Sequence, residues 1–327
     1  MKRFSYFLLS FIGLVLLSSH DMYLKLNNFF LEPSARATVE LFNGTFEKSE
    51  NVIDRDRMVD VSIVQNGSRV RPSEESWYEK DSVTYLDFDT GAPGTYVIGL
   101  STKARTIEMD SDAFNDYLKH DGILDMLAQR ESQGTMNEGA VERYSKHVKT
   151  IVQVGDKTTD DWKTVLNYPI EFVPLQNPYE LQGDQRMSVQ LLSNQTPLAN
   201  QLVYLGYKPQ STTHTHDGST HSHESEESHE HNDLIQLRTD EKGTLKLPID
   251  KDGIWYLRTI HLVELENSAF THESNWATLT FAVGDDNSHE HTEEDHTEGL
   301  PFYYFILGSL VLIAVFFLFF RKKNNES

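Results

Sequence analysis

The chain has 327 residues, enough for about two domains of ordinary size. Its formal net charge of −21 argues against nucleic acid and anionic lipid as partners and favours cations. The absence of cysteine excludes a disulfide framework and any thiolate metal site.

Lys2 and Arg3 precede an apolar run over 7–17, followed by Ser18, Ser19 and His20. This is the pattern of a secretory signal peptide over 1–19, cut after Ser19; the alternative is an uncleaved signal anchor. Alternating segments at 37–42, 59–64, 83–88 and 95–100 predict short strands, separated by Asn43-Gly44, Asn66-Gly67 and the GAPG turn at 91–94. Residues 111–147 show a Ser/Asp start, apolar residues at helical spacing and a break at Gly122, which predicts a helical insert. Strand character returns at 149–156, and the polar stretch KTTDDWKT marks a domain boundary near 157–167.

A second run of strands is predicted at 168–175, 187–192, 201–207, 234–238, 244–247, 254–263 and 276–283, with TDEKG at 239–243 as a hairpin turn. Short, regularly punctuated strands predict a mainly β fold of two Ig-like or transthyretin-like β-sandwich domains, over 20–157 and 158–284. A linker rich in His and acidic residues follows at 285–300. The apolar run at 301–320 has the length of one transmembrane helix, and Arg321, Lys322 and Lys323 in the 321–327 tail predict a cytoplasmic end. The expected location is therefore the extracytoplasmic (periplasmic) space, with tethering to the cytoplasmic membrane through that C-terminal helix.

The loop at 211–233 carries His214, His216, His221, His223, His229 and His231 as three His-x-His pairs among Glu, Asp and Ser. The linker repeats this chemistry with His289, His291 and His296. Imidazole suits nickel, cobalt, zinc and copper, and carboxylates can complete their coordination. In an extended chain the two rings of His-x-His lie on one side. Such loops suit several weak, exchangeable sites, because each binding event must also order the chain. A merely solubilising loop and a pH sensor are the other readings.

Cleavage after Ser19 would make His20 the first residue. Its α-amine and ring Nδ1 could then chelate one metal, and metal can displace the proton of an amine whose ordinary pKa is about 7.7–8.0. A chance His at a cleavage site is the plainer alternative. His261 ends the predicted strand IWYLRTIH, where a lone His is most simply a core or edge residue. His272 and Glu273 precede the last strand, where a loop could bring them near His261. His147 is a weaker candidate, and His120 reads as part of a solvated helix face.

Several stretches resemble the extracytoplasmic accessory proteins associated with nickel and cobalt uptake transporters. They are HDMYLKLNNFFLEPSARATVELFNGTFEKSE (20–50), FNDYLKHDGILDML (114–127), ERYSKHVKTIVQVGD (142–156), YPIEFVPLQNPYELQGD (168–184), TDEKGTLKLPI (239–249), GIWYLRTIHLVE (253–264) and HESNWATLTFAV (272–283). The likeness spans nearly all of 20–283, and its last two segments are the most specific. It implies two β-sandwich domains and delivery of a transition metal to an uptake permease. It also implies a site at His20 and His261, with Glu273 as a fourth donor or an orienting group.

These features lead to a membrane-anchored binding protein, not an enzyme, that captures Ni²⁺ or Co²⁺ (Zn²⁺ and Cu²⁺ being alternatives) and passes it to a permease. Two other readings stand beside it. One is a copper-dependent oxidative enzyme built on the N-terminal His chelate. The other is a structural or adhesive sandwich protein with an incidental His tract.

Overall fold

Alternating burial along some strands and near-continuous burial along others organise the described residues into three sheets. The computed structural model describes residues 20–181, 186–209, 234–266 and 269–284. In chain order the first half holds β1 (Asp21–Lys25), β2 (Phe30–Leu31), β3 (Arg36–Gly44), β4 (Met58–Gln65), β5 (Ser68–Val70), β6 (Trp77–Lys80), β7 (Val83–Asp89), β8 (Gly94–Thr102) and β9 (Arg105–Met109). Helices α1 (Ser111–His120) and α2 (Leu124–Gln133) lead into β10 (Ala140–Val154). The second half holds β11 (Ile170–Pro174), β12 (Met187–Ser193), β13 (Thr196–Pro197), β14 (Leu202–Lys208), β15 (Ile235–Arg238), β16 (Thr244–Leu247), β17 (Gly253–Glu264) and β18 (His272–Val283).

The central sheet has ten strands and runs β15-β14-β17-β18-β10-β8-β4-β5, with β2 and β9 also on β10. A four-stranded sheet, β1-β3-β7-β6, covers one face; Val39, Leu41, Leu86 and Phe88 pack there on Tyr96, Ile98, Val148 and Val152. A second four-stranded sheet, of β11, β12, β13 and β16, covers the other face through Phe172, Val189 and Leu247 on Val97, Ile151, Leu257 and Leu279. Successive residues of one strand thus feed opposite cores: Val148 and Val152 face the first sheet, Ile151 the second. Helices α1 and α2 close one end of the first face, with Phe114, Leu118 and Met126 packed on Ile260, Leu262 and Trp276.

This corrects the expectation of two successive sandwich domains ending in a transmembrane helix. Strands β10 and β18 pair in parallel, from Glu142↔His272 to Thr150↔Thr280, and fuse the two halves into one sheet. The expected boundary at 157–167 is tied down instead: Thr159 Oγ1 accepts from Thr95 N at 3.0 Å, and Asp161 Oδ1 accepts from Gly67 N at 2.8 Å. Lys149 and Glu171 pair at 2.9 Å with both side chains 1% exposed, and join the central sheet to the second covering sheet. Glu171 also accepts from Leu166 N and Tyr168 N, so the buried carboxylate is hydrogen-bonded on both oxygens.

The helices are ten residues each, about 15 Å long. Among the described residues no helix is long and apolar enough to cross a membrane. The expected spanning helix at 301–320, the signal peptide, the His-rich loop and the linker lie outside the described residues. The helical insert is also shorter than expected, because the segment from Ala140 already belongs to β10. TDEKG is a tight turn, but β15 pairs with β14 and β16 with β12, so it carries the chain between two sheets.

Candidate metal centre at the start of the first strand

Strand β1 is the edge strand of the first covering sheet and crosses β10 and β18, with Thr278 Oγ1 donating to Met22 O at 2.8 Å. This brings His20 to the end of the central sheet beside α1. His20 Nε2 lies 3.1 Å from Glu50 Oε2, and the two side chains are 18% and 40% exposed. Glu50 is held in place because its backbone N donates to Asn43 O at 3.0 Å, just past the tight Gly44 turn. A proton on Nε2 shared with Glu50 puts the imidazole lone pair on Nδ1, the nitrogen that can chelate together with the α-amine. Burial lowers the His20 pKa below its ordinary value, partly offset by Glu50, so the ring is neutral near neutral pH.

A belt of buried charge supports this corner. Lys146 Nζ donates to His20 O and, at 3.3 Å, to Asn43 Oδ1. Burial pushes the Lys146 pKa down to about 8. Arg258 Nε lies 2.8 Å from Asp21 Oδ2, and its Nη2 donates to Asp121 O at 2.8 Å. Beyond Lys146, Glu142 accepts from Ser274 Oγ and, at 3.1 Å, from Tyr117 OH, and burial raises its pKa to about 7.

Asp121 arrives through the end of α1. The helix starts at an Asp110 cap, whose Oδ1 accepts from Ala113 N at 2.9 Å. It stops in a Schellman turn, with Gly122 N donating to Lys119 O at 3.3 Å and Ile123 N to Leu118 O at 2.8 Å. Gly122 has φ +71, and a Cβ there would meet Tyr204 Oη at 2.2 Å, so the turn needs glycine. The stop leaves Asp121 4% exposed beneath His120, whose Nδ1 is 3.7 Å from Asp121 Oδ1. The adjacent Asp121 carboxylate raises the His120 pKa, and burial raises that of Asp121.

The structure does not bring His261 to His20. Lys146, which reaches His20, shares its face with Trp276 and Ile260. His261 pairs with Asn275, which pairs with Ser145, so it points from the opposite face. There its Nδ1 meets Gln201 Oε1 at 2.9 Å. Glu273 also lies on that face, 3.2 Å from Arg143 Nη1. His272 is 5% exposed and packs its ring 4.7 Å from that of Phe114, with Nδ1 2.8 Å from Thr271 Oγ1. His147 is buried and bonded at both nitrogens, by Ser101 at 2.9 Å and by Ser145 and Asn275 at 3.1 and 3.2 Å. The clustered histidines His214, His216, His221, His223, His229, His231, His289, His291 and His296 lie outside the described residues. Among the described residues no three His, Asp or Glu side chains converge on a metal by themselves.

Sequence reading singled out His20 but missed Glu50, which reaches it through the 44–50 turn, and the buried Asp121 at the stop of α1. The one local signal was the HDG stop itself, which places a carboxylate at a helix end.

The sequence matches a family described as a domain of unknown function, DUF4198, over residues 17–263, and the chain belongs to that family. No curated protein matches it. Among solved structures, a mutant alpha-2-macroglobulin of Salmonella is similar at 11% identity and a TM-score of 0.21, over 82% of this chain and 15% of that one. The D0-D1 domain of intimin matches at 11% identity and a TM-score of 0.17, over 80% and 97% of the two chains. A putative membrane anchored protein from Corynebacterium diphtheriae matches at 10% identity and a TM-score of 0.19, over 81% and 59%. The chain thus spans about 15% of the length of the alpha-2-macroglobulin it matches, and at these scores the likenesses carry no argument.

Proposed function

We propose that this DUF4198 protein is an extracytoplasmic carrier of a transition metal, with nickel or cobalt as its cargo and an uptake permease as its recipient. The observation that carries the reading is the pairing of His20 Nε2 with Glu50 at 3.1 Å. It holds the ring in the tautomer that a chelate through the α-amine and Nδ1 requires. Signal removal after Ser19 supplies the amine. The acidic His-rich stretches then act as weak collectors that raise the local metal concentration around one selective site. Nitrogen donors favour nickel, cobalt, copper or zinc over magnesium or calcium. In this reading His261, Glu273 and His272 are structural.

The test is metal titration of protein that begins at a free His20 and lacks 211–233. Retention of one tight nickel or cobalt site, lost in His20→Ala, supports the reading. Loss of all binding on deleting the loop would assign the metal to the loop alone.

A further inference from the structure

Three arginines are buried among the described residues, and two of them have oxygen partners. Arg258 pairs with Asp21 at 2.8 Å, and Arg130 donates to Asn115 Oδ1 at 3.0 Å and to Glu138 O at 2.6 Å. Arg57 is 7% exposed, and its Nε and Nη2 have no hydrogen-bond partner among the described residues. These two nitrogens form the edge of a guanidinium that takes a carboxylate side-on. Arg55, two residues earlier, uses the same edge to hold Glu79 Oε1 at 3.0 and 2.7 Å, and Arg36 uses it on Asp87 Oδ2 at 3.4 and 3.0 Å. Burying a cation without a counter-charge is unfavourable, and an arginine does not escape by losing its proton. Acidic residues are not scarce, since the chain carries 50 Asp and Glu against 29 Lys and Arg.

The surroundings of Arg57 add a second cation and a phenol. Its backbone N donates to Asp54 O at 3.0 Å and its O accepts from Lys103 N at 2.7 Å, which ties the 54–57 turn to the connection between β8 and β9. Its guanidinium lies 5.7 Å from the centre of the half-buried Tyr144 ring. Tyr144 pairs across β10 and β9 with Arg105, so the two side chains share a face. Arg105 Nη2 donates to Asp54 Oδ2 at 3.1 Å, in an exposed pair that links β9 back to the same turn. Surface pairs of this kind are weak and open readily. We propose that Arg57 and Arg105 bind an oxyanion, a carboxylate or phosphate group of a small ligand, that enters as Asp54 swings off Arg105. Arg57 presents the side-on fork, Arg105 closes over the anion from the solvent side, and Tyr144 walls the site. The bound anion neutralises the buried guanidinium. The inference does not depend on the N-terminal chelate.

The experiment is titration of the metal-free, processed full-length protein with sodium acetate and with inorganic phosphate. Ionic strength is held constant with chloride, and binding is read by calorimetry and by the unfolding temperature. Wild type should bind at least one of the two saturably and unfold at a higher temperature with it than in chloride alone. Arg57→Gln should weaken that binding about tenfold or more. Arg105→Gln, at an exposed position, should weaken it about threefold, and Asp54→Asn should tighten it about twofold by removing the competing carboxylate. A purely structural Arg57 would give Asp54→Asn no gain in affinity. Saturation by acetate alone assigns a carboxylate ligand, and saturation by phosphate alone a phosphate one. The absence of saturable binding of either anion by wild type overturns the inference. Binding left unchanged by Arg57→Gln does the same. If that variant does not fold, unchanged binding in both Arg105→Gln and Asp54→Asn overturns it.

Discussion

Arg258 and Asp21 form an ion pair of 2.8 Å in which the side chains are 1% and 9% exposed, and this pair fastens the N-terminal strand across the central sheet. Tyr23 OH donates to the same Asp21 oxygen at 3.1 Å. A buried pair contributes little over a well-packed apolar substitute, but breaking it strands a charge. Asp21→Ala should therefore cost about 3–5 kcal/mol in chemical denaturation. Asp21→Leu combined with Arg258→Met should recover a good part of that loss. Equal stability of wild type and Asp21→Ala would show that the pair does not anchor β1.

His147 makes a prediction about acid stability. Burial lowers its pKa to about 4, and Ser101, Ser145 and Asn275 occupy its ring nitrogens. Because the folded pKa lies below the unfolded value of about 6.5, the neutral ring stabilises the fold fully above pH ~6.5. That contribution declines as the pH falls towards about 4. The gap corresponds to about 3 kcal/mol. His147→Gln should flatten the stability profile between these limits, measured by urea unfolding at several pH values. An unchanged slope would contradict this account.

Glu142 has the opposite sign. Its folded pKa is raised to about 7, so ionising it inside the protein costs stability as the pH rises from the ordinary carboxylate range through 7. Glu142→Gln keeps an acceptor for Tyr117 and Ser274 and removes that cost. The variant should match wild type near pH 5 and exceed it by about 1–3 kcal/mol at pH 8–9, within the range for a buried unpaired charge. A variant less stable than wild type at pH 9 would show that the charged form is the one the fold needs.

His261→Ala distinguishes the geometry from the site implied by family resemblance. His261 points from the face opposite Lys146 and bonds Gln201 at 2.9 Å. Nickel affinity at the tight site should stay within about twofold of wild type, while stability falls by about 1 kcal/mol for the lost hydrogen bond. A tight site abolished by this variant would require His20 and His261 to meet.

Much of the fold was legible in the sequence. Strands β3, β4, β7 and β8, and nearly every strand after residue 168, fall where alternation and turn residues put them. The three-sheet arrangement was not legible, because a parallel β10–β18 pairing leaves no local mark beyond strands rich in apolar residues. The sequence reading places ERYSKH in the insert, but its charged residues sit on β10 with Lys146 buried and engaged. The site was half legible. His20 stood out by its place after the signal pattern. Glu50 reaches it only through tertiary structure, and His120 reads correctly as exposed while hiding the buried carboxylate beside it.

The central claim is that a processed His20 forms the selective metal site. The most direct test compares nickel binding by two proteins that differ only at the start, one beginning at His20 and one retaining Ser19. The account predicts one tight site in the first, weakened at least a hundredfold in the second, where the α-nitrogen of His20 is an amide. Equal tight binding by both would contradict it.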